Sequence, residues 1–193
     1  MQTHAKPNQP NNIMKTKLLA AITVITAVVA LTAPVVRGAS DYLLELDGIK
    51  GESSDGGHKE TIEVLSWSLG ASNPTPSSGG GAGKVSFSDL SVMMSASQAG
   101  PQLLAACATG RPIPKAKLYM RKAGETRDYL VIELENVLVS SYSNSGGTSA
   151  AGATAPRLPE DGVKLKFTRM TMTHTGDDGT VTTGTAEEVI APQ

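Results

Sequence analysis

The residues able to do chemistry are few and scattered. His58 and His174 are the only histidines beyond residue 38. Either imidazole could serve as a general base beside an acid or one of the many serines. No Gly-x-Ser-x-Gly elbow is present, so no serine is marked as an acyl-transfer nucleophile. A turn histidine after Gly57 and a strand-end histidine at 174 account for both without catalysis. Asp177-Asp178-Gly179 sets two carboxylates side by side, but the spaced acids of a calcium loop are missing and the trio has the composition of a tight turn. Gly79-Gly80-Gly81-Ala82-Gly83-Lys84 is reminiscent of a phosphate loop. That motif needs Gly where Ser78 stands and Ser or Thr where Val85 stands, and it needs a helix N-terminus to follow. A strand follows instead. Cys107 is the one cysteine, which excludes an intrachain disulfide and a cysteine-rich zinc site. The sequence thus marks no catalytic, cofactor-binding or metal-ligating residue, and the expected protein is not an enzyme.

Composition narrows the class further. The chain has 193 residues, 39 % hydrophobic, 18 % charged and only 4 % aromatic, with 20 Gly and 11 Pro. One domain with a tail fits that length, and the chain is long enough for a core without metal or disulfide staples. Mean hydropathy of −0.10 excludes a polytopic membrane protein. A net charge of −1 gives no electrostatic case for nucleic acid.

The N-terminal stretch is a different material. Residues 1–12 are polar and aperiodic. Met14-Lys15-Thr16-Lys17 then precedes a 16-residue apolar run, 18–33. A basic start, an apolar run and small residues beyond it describe a secretory signal peptide, expected to be cut after Gly38. The run is short for a spanning helix, which needs about 20 residues. The expected organisation is therefore a signal peptide with a polar extension at 1–38 and one domain at 39–193. Residues 1–38 hold four basic groups, Lys6, Lys15, Lys17 and Arg37, and no acid. Taking those four from the chain's 17 basic residues, against 18 acids, leaves the domain at −5. The expected location is periplasmic or extracellular, with membrane contact only in transit.

The elements that would position anything are mostly strands. Residues 41–49 alternate, with Leu44 and Leu46 on one face and Glu45 and Asp47 on the other. Residues 61–70 form a second strand whose apolar phase switches between Val64 and Leu65, which predicts either a bulge or a strand covered on both faces. Residues 84–95 read as a third strand. Gly100-Pro101 opens a helix and Gly110 ends it, with Leu103, Leu104 and Cys107 on one apolar face. Residues 115–121 alternate strictly, with Ala116, Leu118 and Met120 inward and Lys115, Lys117 and Arg121 outward. After a turn at 122–125, residues 128–142 make a long strand with a phase shift near Asn136. Residues 162–173 read as another strand, and 180–193 as a short strand or tail. Met93, Met94, Met170 and Met172 read as core filler. Trp67 reads either as an interface anchor or as a side chain buried between sheet and helix. Residues 71–83 and 143–159 are long Gly/Ser/Pro loops.

Several of these segments together resemble a known family. They are Lys50-Gly51-Glu52-Ser53, Ile62-Glu63-Val64-Leu65-Ser66-Trp67-Ser68, the loop ending Gly83-Lys84-Val85, and Leu103-Leu104-Ala105-Ala106-Cys107. Pro114-Lys115-Ala116-Lys117-Leu118, Arg121-Lys122-Ala123-Gly124 and the strand 128–141 complete the set. In this order they resemble the Hcp (haemolysin-coregulated protein) family from about Tyr42 to Thr175. The resemblance implies a mainly β fold, a β-barrel of two sheets with one short α-helix packed against it. It also implies six copies in a ring, and rings stacked into the inner tube of the type VI secretion system. Such a tube carries secreted effector proteins and is itself exported. No cofactor is implied, and the loops 71–83 and 143–159 would make contacts between protomers or rings.

Two departures from the family are visible. Its members ordinarily have no Sec signal, and after Thr175 this tail is short and acidic at Glu187-Glu188, without the aromatic-bearing terminal strand. Leu69 also stands where a second Trp is usual. An exported monomeric binding module on the same fold is therefore the alternative expectation. An enzyme using His58 or His174 is a third.

Overall fold

The computed structural model describes residues 40–73, 85–147 and 158–187. The expected signal peptide, the glycine-rich run 79–83 and most of the loop 143–159 lie outside the described residues. The described residues all belong to the unit Arg37–Gln193.

Strands β1 (Ser40–Leu46), β2 (Ile62–Ser68), β5 (Leu90–Ser95), β8 (Glu160–Lys166), β7 (Asp128–Ser145) and β6 (Ile113–Lys122) pair in that circular order. Every pair is antiparallel, and β6 returns to β1, so the sheet closes into a six-stranded barrel. Closure removes the unpaired edges that an open sheet would present. Alternation explains which side chains fill it. Ala116, Leu118 and Met120 point inward from β6, and Leu44, Ile62, Leu90, Met94, Ile132 and Leu165 meet them, each at most 2 % exposed. The mainly β barrel with one short helix therefore stands as the sequence and its family resemblance indicate. Of the two readings of the phase switch in β2, the bulge is the one found, between Val64 and Ser66.

The long strand β7 has two roles. Its residues 138–145 pair with β8, while 130–135 pair with β9 (Arg169–Thr175). The changeover is at Asn136, whose φ of 53° flips the phase of the strand there, as the sequence suggested. Its side-chain amide donates to Thr168 Oγ1 at 3.0 Å, and the Thr168 N–H donates to the Glu135 carbonyl at 3.2 Å. Residues 162–173, read from sequence as one strand, are thus two. Thr168 directs its hydrogen bonds to the crimp in β7, and alternation alone carries no mark of that break. Strand β9 then turns into β10 (Val181–Glu187), a hairpin that extends the sheet beyond the barrel.

Residues 84–95 also divide. Short strands β3 (Ala71–Ser72) and β4 (Ser86–Phe87) pair as a separate ribbon, and β5 begins only at Leu90. Ser88 causes the break by bonding across to Gly70: its N–H donates to the Gly70 carbonyl at 2.9 Å, and its hydroxyl accepts the Gly70 N–H at 2.7 Å.

Helix α1 (Ala99–Thr109) packs mainly on β7 and ends at Gly110, which takes the left-handed conformation and bonds back to the Ala106 carbonyl. Pro101 is its third residue rather than its first, still within the turn where a missing N–H costs nothing. The expected shared face holds for Leu103 and for Cys107, which packs against the core, and is corrected at Leu104. The buried stripe is Ala99, Gly100, Leu103 and Ala106, whereas Leu104 is 53 % exposed and Cys107 is half-buried. Close approach sets this rotation. A Cβ at Gly100 would lie 2.7 Å from Asp161 Oδ2 and 3.1 Å from the Tyr142 hydroxyl. Asp161 is itself 1 % exposed and accepts hydrogen bonds from Tyr142 (3.0 Å) and Asn144 (2.7 Å).

Candidate assembly surfaces

The loop between β1 and β2 folds back over the outer face of the barrel, and this gives His58 its place. Asp55 shapes the loop: its Oδ1 accepts the N–H groups of Gly57 (2.9 Å) and His58 (3.0 Å). Its Oδ2 accepts Arg121 Nη1 at 2.8 Å. The other side of the same guanidinium meets Asp128 Oδ1 at 3.3 Å, and Asp128 Oδ2 lies 2.8 Å from His58 Nε2. The His58 ring stacks on Tyr119 with centroids 3.9 Å apart, and the Tyr119 hydroxyl donates to Glu45 at 2.6 Å. Arg121 was expected in solvent. It does lie on the outer face, but the loop covers it and leaves it 5 % exposed.

The electrostatics follow from this arrangement. Burial raises the Asp55 pKa, but the Gly57 N–H and Arg121 outweigh it, so the carboxyl is held below its usual range. Burial lowers Arg121, but Asp55 and then Asp128 outweigh it, and its pKa moves up. Burial, then the Glu45 carboxylate, pushes the Tyr119 phenol up. The charged groups of this cluster are engaged with one another, and among the described residues no serine or cysteine is bonded to the imidazole. The arrangement ties the β1–β2 loop to the barrel wall.

The other expected residues are placed apart from it. His174 is exposed on β9, edge-on to Tyr129 with centroids 6.5 Å apart. Asp178 closes the β9–β10 turn by accepting from the Thr180 N–H (2.9 Å) and hydroxyl (2.7 Å). Asp177 binds Lys122 at 2.7 Å and Arg127 at 3.1 Å. Among the described residues no group of three His, Cys, Asp or Glu could hold a metal ion. Met94 is fully buried, and Met170 and Met172 pack against the core at half burial. Met93 departs from the expected core role: it points outward and is 36 % exposed, because β5 alternates and Met94 takes the inward position. Trp67 is half-buried and sits edge-on to Tyr42 of β1, with centroids 6.4 Å apart.

Two kinds of outer surface result. Across β6, β7, β9 and β10 the outer face is a charged and hydroxylated lattice. Lys115 and Lys117 flank Glu133 at 2.9 and 3.3 Å, and Thr171–Thr185 and Thr173–Thr183 face each other at 3.2 and 3.3 Å. The Lys115 hydrogen bond leads in lowering the Glu133 pKa. The second kind carries a single charged side chain, Lys164. It comprises the outer face of α1 and a shallow depression on the wall formed by β2, β5, β8 and β7, floored by Met93, Gly162 and serines.

A closed antiparallel barrel with one helix packed against it, and with ion pairs that tie its loops and strands together, defines a small barrel scaffold. The chain belongs to the Hcp family: residues 43–174 match the family model described as Type VI secretion system effector, Hcp. It is 44 % identical over 113 residues to protein hcp1 of Pseudomonas aeruginosa, covering 56 % of this chain and 70 % of that protein. The structure is similar to that of Hcp1 from Salmonella typhimurium, at 33 % identity and a TM-score of 0.66, covering 78 % of this chain and 95 % of that one. It is also similar to a type VI secretion system effector from Yersinia pestis, at 27 % identity and a TM-score of 0.63, covering 76 % and 99 %.

The sequence reading missed the Asp55–Arg121–Asp128 cluster. Asp55-Gly56-Gly57 carries the composition of a turn, but its partner Arg121 lies 66 residues away, and nothing local pairs the two.

Proposed function

We propose that this protein is a non-catalytic ring-forming subunit of a type VI secretion tube, homohexameric, that guides and accompanies secreted effectors. The observation that carries this reading is the family match, which spans nearly the whole barrel and includes 44 % identity to protein hcp1. Six copies related by a head-to-tail contact close a ring, and an axial repeat of rings makes a tube. Loops 71–83 and 143–159 are proposed as contacts between protomers or between rings.

Residues 1–38 are proposed as a signal peptide and 39–193 as the barrel domain. The support is Lys15 and Lys17 ahead of the apolar run 18–33. Among the described residues no helix is long and apolar enough to cross a membrane.

Light scattering behind size-exclusion chromatography, with negative-stain microscopy of the peak, tests the ring. Annular particles of six-chain mass are expected. A monomer at high concentration favours the exported binding module instead. N-terminal sequencing of the secreted protein tests export: a start at Ala39 is expected, and a full-length protein retained in the cytoplasm overturns it.

A further inference from the structure

Helix α1 does not close its own N-terminus. Gln98 at its start makes no side-chain cap bond, and its first turn holds no acid. The first N–H groups of a helix have no partner inside it, and a carboxylate near them is favourable. Here the carboxylate is lent from 46 residues upstream. Glu52 Oε1 accepts the Gln98 N–H at 2.9 Å, and the Gln98 side-chain amide donates to the Gly51 carbonyl. Gly51 and Glu52 both belong to the β1–β2 loop.

The same loop is pinned at its other end to the barrel wall. Asp55 holds Arg121 of β6, and His58 meets Asp128 of β7 while stacking on Tyr119. Between the two anchors the loop is a tight ladder. The Gly51 N–H donates to the Glu60 carbonyl at 2.6 Å, the Ser53 N–H to the Thr61 carbonyl at 3.0 Å, and the Glu60 N–H to the Ser53 carbonyl at 2.9 Å. The Thr61 hydroxyl, on a buried residue, donates to the His58 carbonyl at 2.8 Å. Glu60 is held at φ 61°, a left-handed conformation that a residue with a long side chain keeps only where its surroundings impose it. His58 is thus joined through Thr61 and Glu60 to the backbone that carries Gly51 and Glu52.

We propose that the β1–β2 loop is a strap with two anchors, coupling the barrel wall at Arg121 and Asp128 to the N-terminus of α1. Release of the tip at His58 uncaps the helix, and by linkage loss of the cap loosens the tip by the same factor. The device lies within one chain and does not depend on the ring reading.

The test is amide hydrogen exchange, read at single residues, on the full chain as wild type, H58A and E52A. H58A leaves Glu52 and Gln98 intact, yet the Gln98 amide is expected to exchange about tenfold faster. E52A is expected to quicken the Gly57 and His58 amides, which Asp55 shields, by a similar factor. Glu52 is exposed, so E52A is expected to fold and its arm stands even where H58A does not. The Arg111 amide, bonded to the Ala106 carbonyl at the far end of α1, is expected to keep its wild-type rate in both. Tip amides that quicken in H58A while Gln98 keeps its rate overturn the coupling. So do tip amides that keep their rate in E52A. Equal quickening at Gln98 and Arg111 also overturns it, since that is a general loss of stability.

Discussion

The barrel and the β9–β10 hairpin use the same antiparallel ladder and bury very different amounts of side chain. Strand β5 has two partners and places Leu90, Val92 and Met94 at 1 % exposure or less. Strand β10 has one partner, and of its seven residues only Ala186 is even half-buried. Backbone hydrogen bonds contribute about 0.5–1.5 kcal/mol each, net of water, while full burial of one leucine or valine contributes about 1.5–3 kcal/mol. The ladder therefore sets geometry in both regions, and closure adds the stability in one. The hairpin depends on its own turn and on β7.

That contrast can be broken in stages. Leu165→Ala, on the strand that closes the barrel, is expected to cost about 2–5 kcal/mol, because a cavity opens in a fully buried site. Thr183→Ala, on the outer face of β10, is expected to stay within about 0.5 kcal/mol. Urea midpoints measured side by side check the pair, and equal shifts would erase the distinction.

Gly51→Ala comes next, at about 1–3 kcal/mol, since the added methyl carbon would sit 2.2 Å from the Thr61 carbonyl oxygen and backbone must move. Urea denaturation reads it, and a neutral result would mean that the pinch at the base of the loop is loose.

Arg121→Met is also expected to cost about 1–3 kcal/mol by stripping Asp55 and Asp128 of their cation. It carries a pH signature. Asp55 has a folded pKa below its unfolded one, so its contribution is complete above the ordinary carboxylate pKa and fades as pH falls through the lowered value. Without the guanidinium that value rises, and acid unfolding should begin at a higher pH. Carbon-detected titration of the Asp55 carboxyl measures this directly, and an unmoved midpoint would remove Arg121 as the cause.

The smallest effect is expected for Asp177→Ala. It releases Lys122 and Arg127 from the hairpin turn, but these are exposed pairs that salt screens. The global melting temperature should not move, while amide hydrogen exchange in β9 and β10 quickens. A uniform change across the barrel would contradict the division between the two regions.

Much of this was legible from local pattern. Strict alternation over 115–121 identified β6, the phase slip at Asn136 marked the crimp, and Gly110 marked the end of α1. What escaped had its cause elsewhere in the chain. The breaks at Ser88 and Thr168 leave the alternation readable as one strand, and they are set by Gly70, Glu135 and Asn136. Arg121 fits an outward pattern, and only a loop from β1–β2 buries it. Leu104 follows Leu103 in an apolar run, and the close packing of Gly100 on Asp161 decides which of the two faces the barrel. The candidate surfaces were the least legible part, because each joins residues of several strands.

The filled interior of the barrel bears on transport. Inward side chains from all six strands occupy the interior, and Ala99, Leu103 and Ala106 of α1 complete that core from the helix side. Among the described residues the barrel interior is packed with side chains and holds no passage for a protein. In the proposed ring, a passenger would therefore have to travel outside each barrel, through space that several copies enclose, and the number of copies would set the bore.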